Sequence, residues 1–250
     1  FEVFLRNTGN ARVNISIDVL AVQGEIWEHS FINTTEIQHG EEISLSFRMT
    51  APPSALTGEW CSVVLGAFAS GALMDTINLT LIAGSIHGIS LVGPEEVIGI
   101  EPYTTIAIPI SVRNTGNSVD DVAFETVEPT GPWEFGISFN GSGMAPFEER
   151  NATFTIALNE PLPPSSVEFV LRAVSTNNAS ASFSIYLNVL ELIGADLLYP
   201  PTVSGVPGGE LTLDLELINA GNVALDYRLS ATSSVDLFIR LLSGETGRIG

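Results

Sequence analysis

Six asparagines stand in Asn-x-Ser/Thr triplets, the acceptor pattern for N-linked sugar. They are Asn14, Asn33, Asn78, Asn140, Asn151 and Asn178. Three of them fall on the polar positions of alternating stretches and three in loop-like segments, so we expect all six to face water. The pattern favours a glycoprotein outside the cytoplasm. The competing interpretation is that these are simply polar residues on a surface without lysine.

Paired carboxylates are the next candidates for chemistry, because calcium takes about six to eight oxygen ligands that converge on one point. Acidic doublets occur at Glu41-Glu42, Glu95-Glu96, Asp120-Asp121 and Glu148-Glu149, without an EF-hand loop pattern. Glu95 and Glu96 lie beside a predicted domain junction. They are therefore the candidate ligands for a bridging Ca²⁺, against the alternative of solvated charge.

No nucleophile elbow, zinc-protease motif or phosphate loop occurs in the sequence, so we expect no catalytic residues, no cofactor and no enzyme. The three histidines, His29, His39 and His87, are interpreted as exposed loop residues. The single cysteine, Cys61, is interpreted as a buried small hydrophobe. Trp27 and Trp133 are interpreted as core residues, and the alternative is a sugar-stacking platform that these two form together with Trp60.

The charge balance excludes one class of partner. The chain has 29 acidic and 9 basic residues, all nine of them arginine, for a net charge of −20. A surface of this kind repels nucleic acid, because phosphate binding needs clustered Lys and Arg. The longest apolar run, residues 63–74, is interrupted and too short to span a bilayer, so no membrane insertion is expected within these residues.

One four-residue turn motif occurs three times in the chain at a regular spacing. Asn-Thr-Gly-Asn or Asn-Ala-Gly-Asn occurs three times, at Asn7, Gly9 and Asn10, at Asn114, Gly116 and Asn117, and at Asn219, Gly221 and Asn222. The copies are 107 (114 minus 7) and 105 (219 minus 114) residues apart, a period of one small domain. Each turn follows a stretch with apolar residues at alternate positions, as at Leu211–Leu217, which predicts a half-buried strand. We expect the turn to be structural, with Gly at positive φ and the Asn side chains bonding the turn's own amides.

The repeat predicts an all-β chain of tandem immunoglobulin-like antiparallel β-sandwiches, since no segment has sustained helical periodicity. We expect an N-terminally truncated repeat over 1–84, a complete repeat over 85–191 and a C-terminally truncated repeat over 192–250, a fragment of a longer chain. Residues 88–94 and 194–200 are the predicted junctions. Because they are short and apolar, we expect stiff joints and an elongated rod.

The order of alternating strand, Asn-x-Gly-Asn turn, Trp after Gly, Pro-rich bend and final strand pair resembles the immunoglobulin-like repeats of the NEW3 and CARDB kind. Those repeats occur in tandem on archaeal and bacterial surface proteins and beside the catalytic domains of secreted hydrolases. The resemblance implies an extracellular or cell-surface stalk, envelope or filament segment, structural or adhesive. Its partners would be neighbouring repeats, other surface proteins or glycans. The alternative is an accessory or carbohydrate-binding module attached to a secreted hydrolase.

Overall fold

A computed structural model describes residues 1–127, 129 and 131–233. The first pair of sheets uses residues 2–82. Its strands are β1 (Glu2–Arg6), β2 (Val13–Gly24), β3 (Glu28–Phe31), β4 (Thr34–Ile37), β5 (Glu42–Thr50), β6 (Trp60–Ala69) and β7 (Ala72–Ile82). One sheet has the order β1-β5-β3 and the other the order β4-β2-β6-β7, with every pairing antiparallel.

The central pair of sheets uses residues 89–189 and is more complete. Its strands are β8 (Ile89–Val92), β9 (Ile98–Ile100), β10 (Thr104–Asn114), β11 (Val122–Val127), β12 (Trp133–Ser138), β13 (Glu149–Leu158), β14 (Ser166–Ser175) and β15 (Ser180–Val189). The sheet orders are β12-β13-β10-β8 and β11-β14-β15-β9. The β9–β15 pairing is parallel, and the other pairings are antiparallel. The predicted all-β fold of antiparallel sandwiches is thus confirmed.

The last described residues form one two-stranded sheet, β16 (Ala195–Leu198) with β17 (Glu216–Asn219). The predicted strand from Leu211 to Leu217 is therefore wrong over most of its length. Leu211, Leu213 and Leu215 lie outside a strand and are 44–50% exposed. Alternation alone is insufficient here, because the described residues include no second sheet to cover this face. Residues 234–250, the end of the third predicted repeat, lie outside the described residues.

The segments expected to be joints are strands instead. Residues 89–92 pair with β10 as β8, and residues 195–198 pair with β17 as β16. Each of these four-residue segments joins the edge of a sheet, where its backbone groups form hydrogen bonds. In β8 this pairing also packs Leu91 against the central core, which a free linker in water would leave exposed. The connections between consecutive sheets therefore shift to residues 83–88 and 190–194.

Alternation along four strands predicts eight core residues in the central sandwich, and seven of them are buried. Ile108, Ile110, Val112, Phe154, Ile156, Ile185 and Leu187 are buried, and Phe124 is partly buried against them. Trp133 packs edge-on against Phe169, with ring centroids 5.5 Å apart. Trp27 occupies the matching place in the first pair of sheets and is also buried. Both tryptophans are core residues, as interpreted from the sequence.

No helix in the described ranges is both long and apolar enough to cross a membrane.

Candidate functional site

The first asparagine of each repeated turn folds the turn itself. Its Oδ1 accepts a hydrogen bond from the glycine amide two residues later, at 2.9 Å for Asn7, 2.9 Å for Asn114 and 3.0 Å for Asn219. Its Nδ2 donates to the carbonyl four residues later in all three copies, at 2.7 to 2.8 Å. Asn114 is only 1% exposed and also donates to the Met144 and Ala145 carbonyls. The expectation that this side chain bonds the turn's own backbone is confirmed.

The last asparagine of the turn has a different role, since it bonds the sheets that precede it. Asn117 Nδ2 donates to the Ala55 carbonyl at 3.0 Å and to the Gly84 carbonyl at 2.9 Å. Asn117 Oδ1 accepts from the Ile86 amide at 2.7 Å. The side chain is 7% exposed, and its two N–H donors and one oxygen are all used. We call this three-way contact the junction clamp.

The same clamp recurs at the next connection. Asn222 Nδ2 donates to the Leu162 and Leu190 carbonyls, both at 2.8 Å, and its Oδ1 accepts from the Leu192 amide at 2.7 Å. In both clamps one carbonyl comes from a Pro-rich bend and the other from a residue just after the last strand of the preceding sheets. Each Pro-rich bend thus positions a carbonyl that accepts a hydrogen bond from the clamp.

Backbone pairing reinforces each clamp. The Thr115 amide donates to the Gly88 carbonyl at 2.9 Å, and the Asn117 amide donates to the Ile86 carbonyl at 3.0 Å. Ala220 and Asn222 repeat this pairing with Gly194 and Leu192, at 3.1 and 3.0 Å. The second and third turns therefore each form a short β-like pairing with the chain that enters their own sheets.

The first copy of the turn has the residues of a clamp without its contacts. Asn10 is exposed, and within the described part of the chain its side chain has no hydrogen-bond partner. The Thr8 and Asn10 amides, equivalent to Thr115 and Asn117, are also unpaired among those residues.

The predicted reason for glycine in the turn is wrong. None of Gly9, Gly116 and Gly221 has a positive φ. A Cβ at Gly116 would instead overlap the Ile86 carbonyl oxygen and lie 3.0 Å from His87 Cα. At Gly221 it would overlap the Leu192 carbonyl oxygen, whereas at Gly9 it would meet only Asn7 Oδ1 at 3.1 Å. Glycine is needed in the second and third turns because the preceding backbone passes directly over it.

A buried carboxylate, that of Asp120, contacts the connection beside the first clamp. Asp120 is 3% exposed, and its Oδ1 accepts from Thr176 Oγ1 at 3.1 Å, Asn177 Nδ2 at 3.0 Å and the Asp121 amide at 3.0 Å. Its Oδ2 lies 3.1 Å from His87 Nδ1, on the connection itself. Burial alone would raise the pKa of the Asp120 carboxyl, but hydrogen bonds from Ser175, Asn177, Thr176 and His87 outweigh it and lower that pKa below its ordinary value.

His87 is therefore not the exposed loop residue predicted from sequence. Its side chain is 25% exposed and paired with Asp120, which is 33 residues away along the chain. His29 is exposed but belongs to β3 and stacks on Phe47, so it is not in a loop either. His39 does lie in an exposed turn. Cys61 is buried, as expected.

Two of the acidic doublets close turns. Glu41 Oε2 accepts from the Gln38 amide and Glu148 Oε2 from the Ala145 amide, each at 2.7 Å. Glu148 also pairs with Arg150, 2.7 Å apart, which holds the pKa of that carboxyl below its ordinary value. Glu95 and Glu96 are exposed between β8 and β9. No group of three or more potential metal ligands exists in the described ranges, so the structure places no third ligand beside this pair.

The six sequon asparagines are all exposed. Asn14, Asn78 and Asn151 lie on β2, β7 and β13, and the other three lie between strands, as expected. Their modification stays a prediction. The sugar platform made from Trp27 and Trp133 is excluded by their burial, because stacking needs an accessible ring face; Trp60 is 42% exposed.

No protein-family model matches the chain, and no curated protein matches it in sequence. Among solved structures, it is similar to S-layer protein SbsC domains 4 and 5, with 13% identity and a TM-score of 0.30, over 62% of this chain and 86% of that one. It is similar to the protocadherin GammaB4 extracellular domain, with 12% identity and a TM-score of 0.49, over 86% of this chain and 34% of that one. Similarity to human CDH23 EC21-23 has 12% identity and a TM-score of 0.48, over 94% and 81% of the two chains. These similarities define no family, and the resemblance to NEW3 and CARDB repeats stays a prediction.

Replacing Asn117 with Asp should break the first clamp. A carboxylate oxygen would face the Ala55 and Gly84 carbonyls in place of two N–H donors, and we expect a loss of about 3 kcal/mol of unfolding free energy. Urea unfolding measures the loss, and hydrogen exchange at the Ile86 amide locates it. Asn10→Asp is the matched control in the same motif position and should be near neutral. Equal losses in the two variants would show that the clamp contributes nothing.

Replacing Gly116 with Ala tests whether glycine is required by the close approach of the Ile86 carbonyl or by the backbone conformation of the turn. Alanine tolerates the observed φ, so any destabilisation arises from overlap with the Ile86 carbonyl, and we expect about 1–3 kcal/mol. Gly9→Ala should cost less, because its Cβ meets one side-chain oxygen that can move. Melting temperatures measured for both variants test this, and an unchanged value for Gly116→Ala would contradict it.

Replacing Asp120 with Asn should destabilise the protein at neutral pH by about 1.5–3 kcal/mol, the range for hydrogen bonds to a charged group. Because the folded pKa is lowered, the stabilisation is present above the unfolded pKa and is lost as pH falls through the folded value. The difference between parent and variant should thus shrink below about pH 4. Urea unfolding at several pH values measures it, with Glu96→Gln as the exposed control. A difference independent of pH would refute this role for the charge.

Proposed function

We propose that this chain is a non-catalytic structural segment of a secreted or cell-surface protein, in which immunoglobulin-like sandwiches are linked in series by junction clamps. The observation that carries the proposal is the recurrence of one clamp at both connections. Asn117 and Asn222 each use every polar atom of the side chain on the preceding sheets and the connection.

The clamps give each connection more than covalent continuity. A flexible tether leaves its backbone groups to water, whereas here the Ile86 and Leu192 residues bond to the following turn through both N–H and C=O. Further bonds join the first pair of sheets to this turn, since the Thr57 amide donates to the Asn117 carbonyl at 3.1 Å and Thr57 Oγ1 donates to Asn117 Oδ1 at 3.0 Å. A segment of this kind would keep neighbouring sandwiches in a fixed orientation within a stalk, envelope layer or filament.

The surface supports a location outside the cell. All six sequons are accessible, and a net charge of −20 without lysine favours solubility. Antibody detection of the chain on intact, unpermeabilised cells tests the location, and exclusive detection after permeabilisation would overturn it.

The mechanical part of the proposal predicts restricted motion between the first and central pairs of sheets. Spin labels at Glu36→Cys and Glu168→Cys, in a Cys61→Ala background, report the distance between them by double electron–electron resonance. Labels at Glu134→Cys and Glu168→Cys give a reference within the central pair. We expect two distributions of similar width, and Asn117→Asp should broaden only the first. A parent distribution between the sheet pairs as broad as that of the variant would overturn the proposal.

A further inference from the structure

One exposed asparagine of the central sandwich precedes a glycine that packing requires. Asn140 is exposed in the connection between β12 and β13. The Val122 amide donates a hydrogen bond to the Gly141 carbonyl at 2.9 Å, and a Cβ at Gly141 would overlap the Val122 carbonyl oxygen. Because β11 passes this close, no larger residue fits at this position. Asn140-Gly141 is the only Asn-Gly pair in the sequence.

The polar atoms around this pair favour an internal reaction. The backbone nitrogen of the residue after an asparagine can attack the side-chain carbonyl, and glycine hinders that attack least because it has no Cβ. The Gly141 amide donates to no acceptor among the described residues. The Ser142 amide donates to Asn140 Oδ1 at 3.3 Å. A donor at this oxygen stabilises the negative charge that develops there when the side-chain carbonyl is attacked.

Arg150 contacts the other carbonyl of Asn140, that of the main chain. Its Nη1 donates to this oxygen at 3.0 Å and to the Ser142 carbonyl at 2.8 Å. Its Nε and Nη2 donate to the Glu148 carboxylate at 2.7 and 3.0 Å, which fixes the guanidinium in place. Both carbonyl groups of Asn140 are therefore polarised by hydrogen-bond donors, and the main-chain one is polarised by a cation.

We propose that Asn140 is a site of spontaneous deamidation and that Arg150 directs the product towards isoaspartate. The Gly141 nitrogen forms a bond to Asn140 Cγ and loses its proton to water. Nδ2 takes a proton from water and leaves as ammonia, so that a cyclic succinimide remains. One water molecule then opens the ring, and the sum of the steps is asparagine plus water giving an acid plus ammonia. This inference is independent of the proposed function, since it rests on one loop.

The direction of ring opening follows from the contact with Arg150. Water that attacks Cγ breaks its bond to the Gly141 nitrogen and yields aspartate. Water that attacks the main-chain carbonyl breaks the other bond of that nitrogen and yields isoaspartate, with the main-chain carbon freed as a carboxylate. Arg150 Nη1 already bonds to the oxygen of this carbonyl. It polarises the carbon for attack, and it then forms an ion pair with the carboxylate that results.

A sugar at Asn140 would exclude the reaction, because it would occupy the nitrogen that has to leave. The test therefore uses the full chain from a host without N-glycosylation, kept at neutral pH well below its melting temperature. A peptide of residues 136–145 is the unfolded reference. Peptide mapping with electron-transfer fragmentation follows the loss of asparagine and separates the two products.

We expect Asn140 to be lost faster than any other asparagine of the folded chain, and at least as fast as in the peptide. The ratio of isoaspartate to aspartate should exceed that of the peptide by about twofold or more, because only the folded chain presents Arg150 to the ring. Slower loss in the folded chain than in the peptide would overturn the inference, and so would equal product ratios.

Two arginine variants test the directing role. Arg150→Gln should bring the product ratio down to that of the peptide, with hydrogen exchange at the Val122 amide showing that the loop is still in place. Arg172→Gln, which removes an exposed arginine paired with Glu125, is the matched control and should keep the parent ratio. Asn140→Gln should abolish the reaction, because glutamine would have to close a larger ring. An unchanged ratio in Arg150→Gln would refute the directing role, and the comparison with the peptide stands without this variant.

Discussion

The structure between consecutive sandwiches depends on one constraint: the backbone carbonyls and amides at a partly buried connection need hydrogen-bond partners within the protein. A single asparagine meets this need, because its amide group presents two donors and an acceptor in one plane. Aspartate lacks the donors, and leucine, which has the same branching, lacks all three polar groups. The backbone groups around the last asparagine therefore require this side chain as much as the conformation of the turn does.

The connection also explains why the turn has two asparagines with different tasks. The first, as at Asn114, turns inward and satisfies the carbonyls of its own sandwich. The last, as at Asn117, turns backward and satisfies those of the preceding one. Gly116 lies between them because the connecting backbone passes over it with no room for a Cβ. Turn and connection thus form one unit. The contacts of each turn residue with its own sandwich or with the preceding chain explain why that residue type is there.

Much of this architecture could be predicted from the sequence. Alternation located the strands of the first and central sheets, since burial on one face produces a period of two along the chain. Alternation failed at Leu211–Leu215, because the pattern shows which face would be apolar and not whether another sheet covers it. The glycine was also located correctly for a wrong reason, since local turn chemistry favours glycine in the same place as a steric approach by the preceding backbone.

The polar contacts were beyond sequence reasoning because their members are far apart. His87 and Asp120 looked like a lone histidine and a solvated doublet, and only the fold brings them to 3.1 Å. Asn10 and Asn117 occupy the same motif position, yet one is exposed and the other 7% exposed. The difference lies in their contacts, since Asn117 bonds Ala55, Gly84 and Ile86 whereas no described residue bonds the Asn10 side chain. In a tandem β protein a repeated polar motif therefore predicts a contact surface, and the neighbouring segment determines whether that surface is occupied.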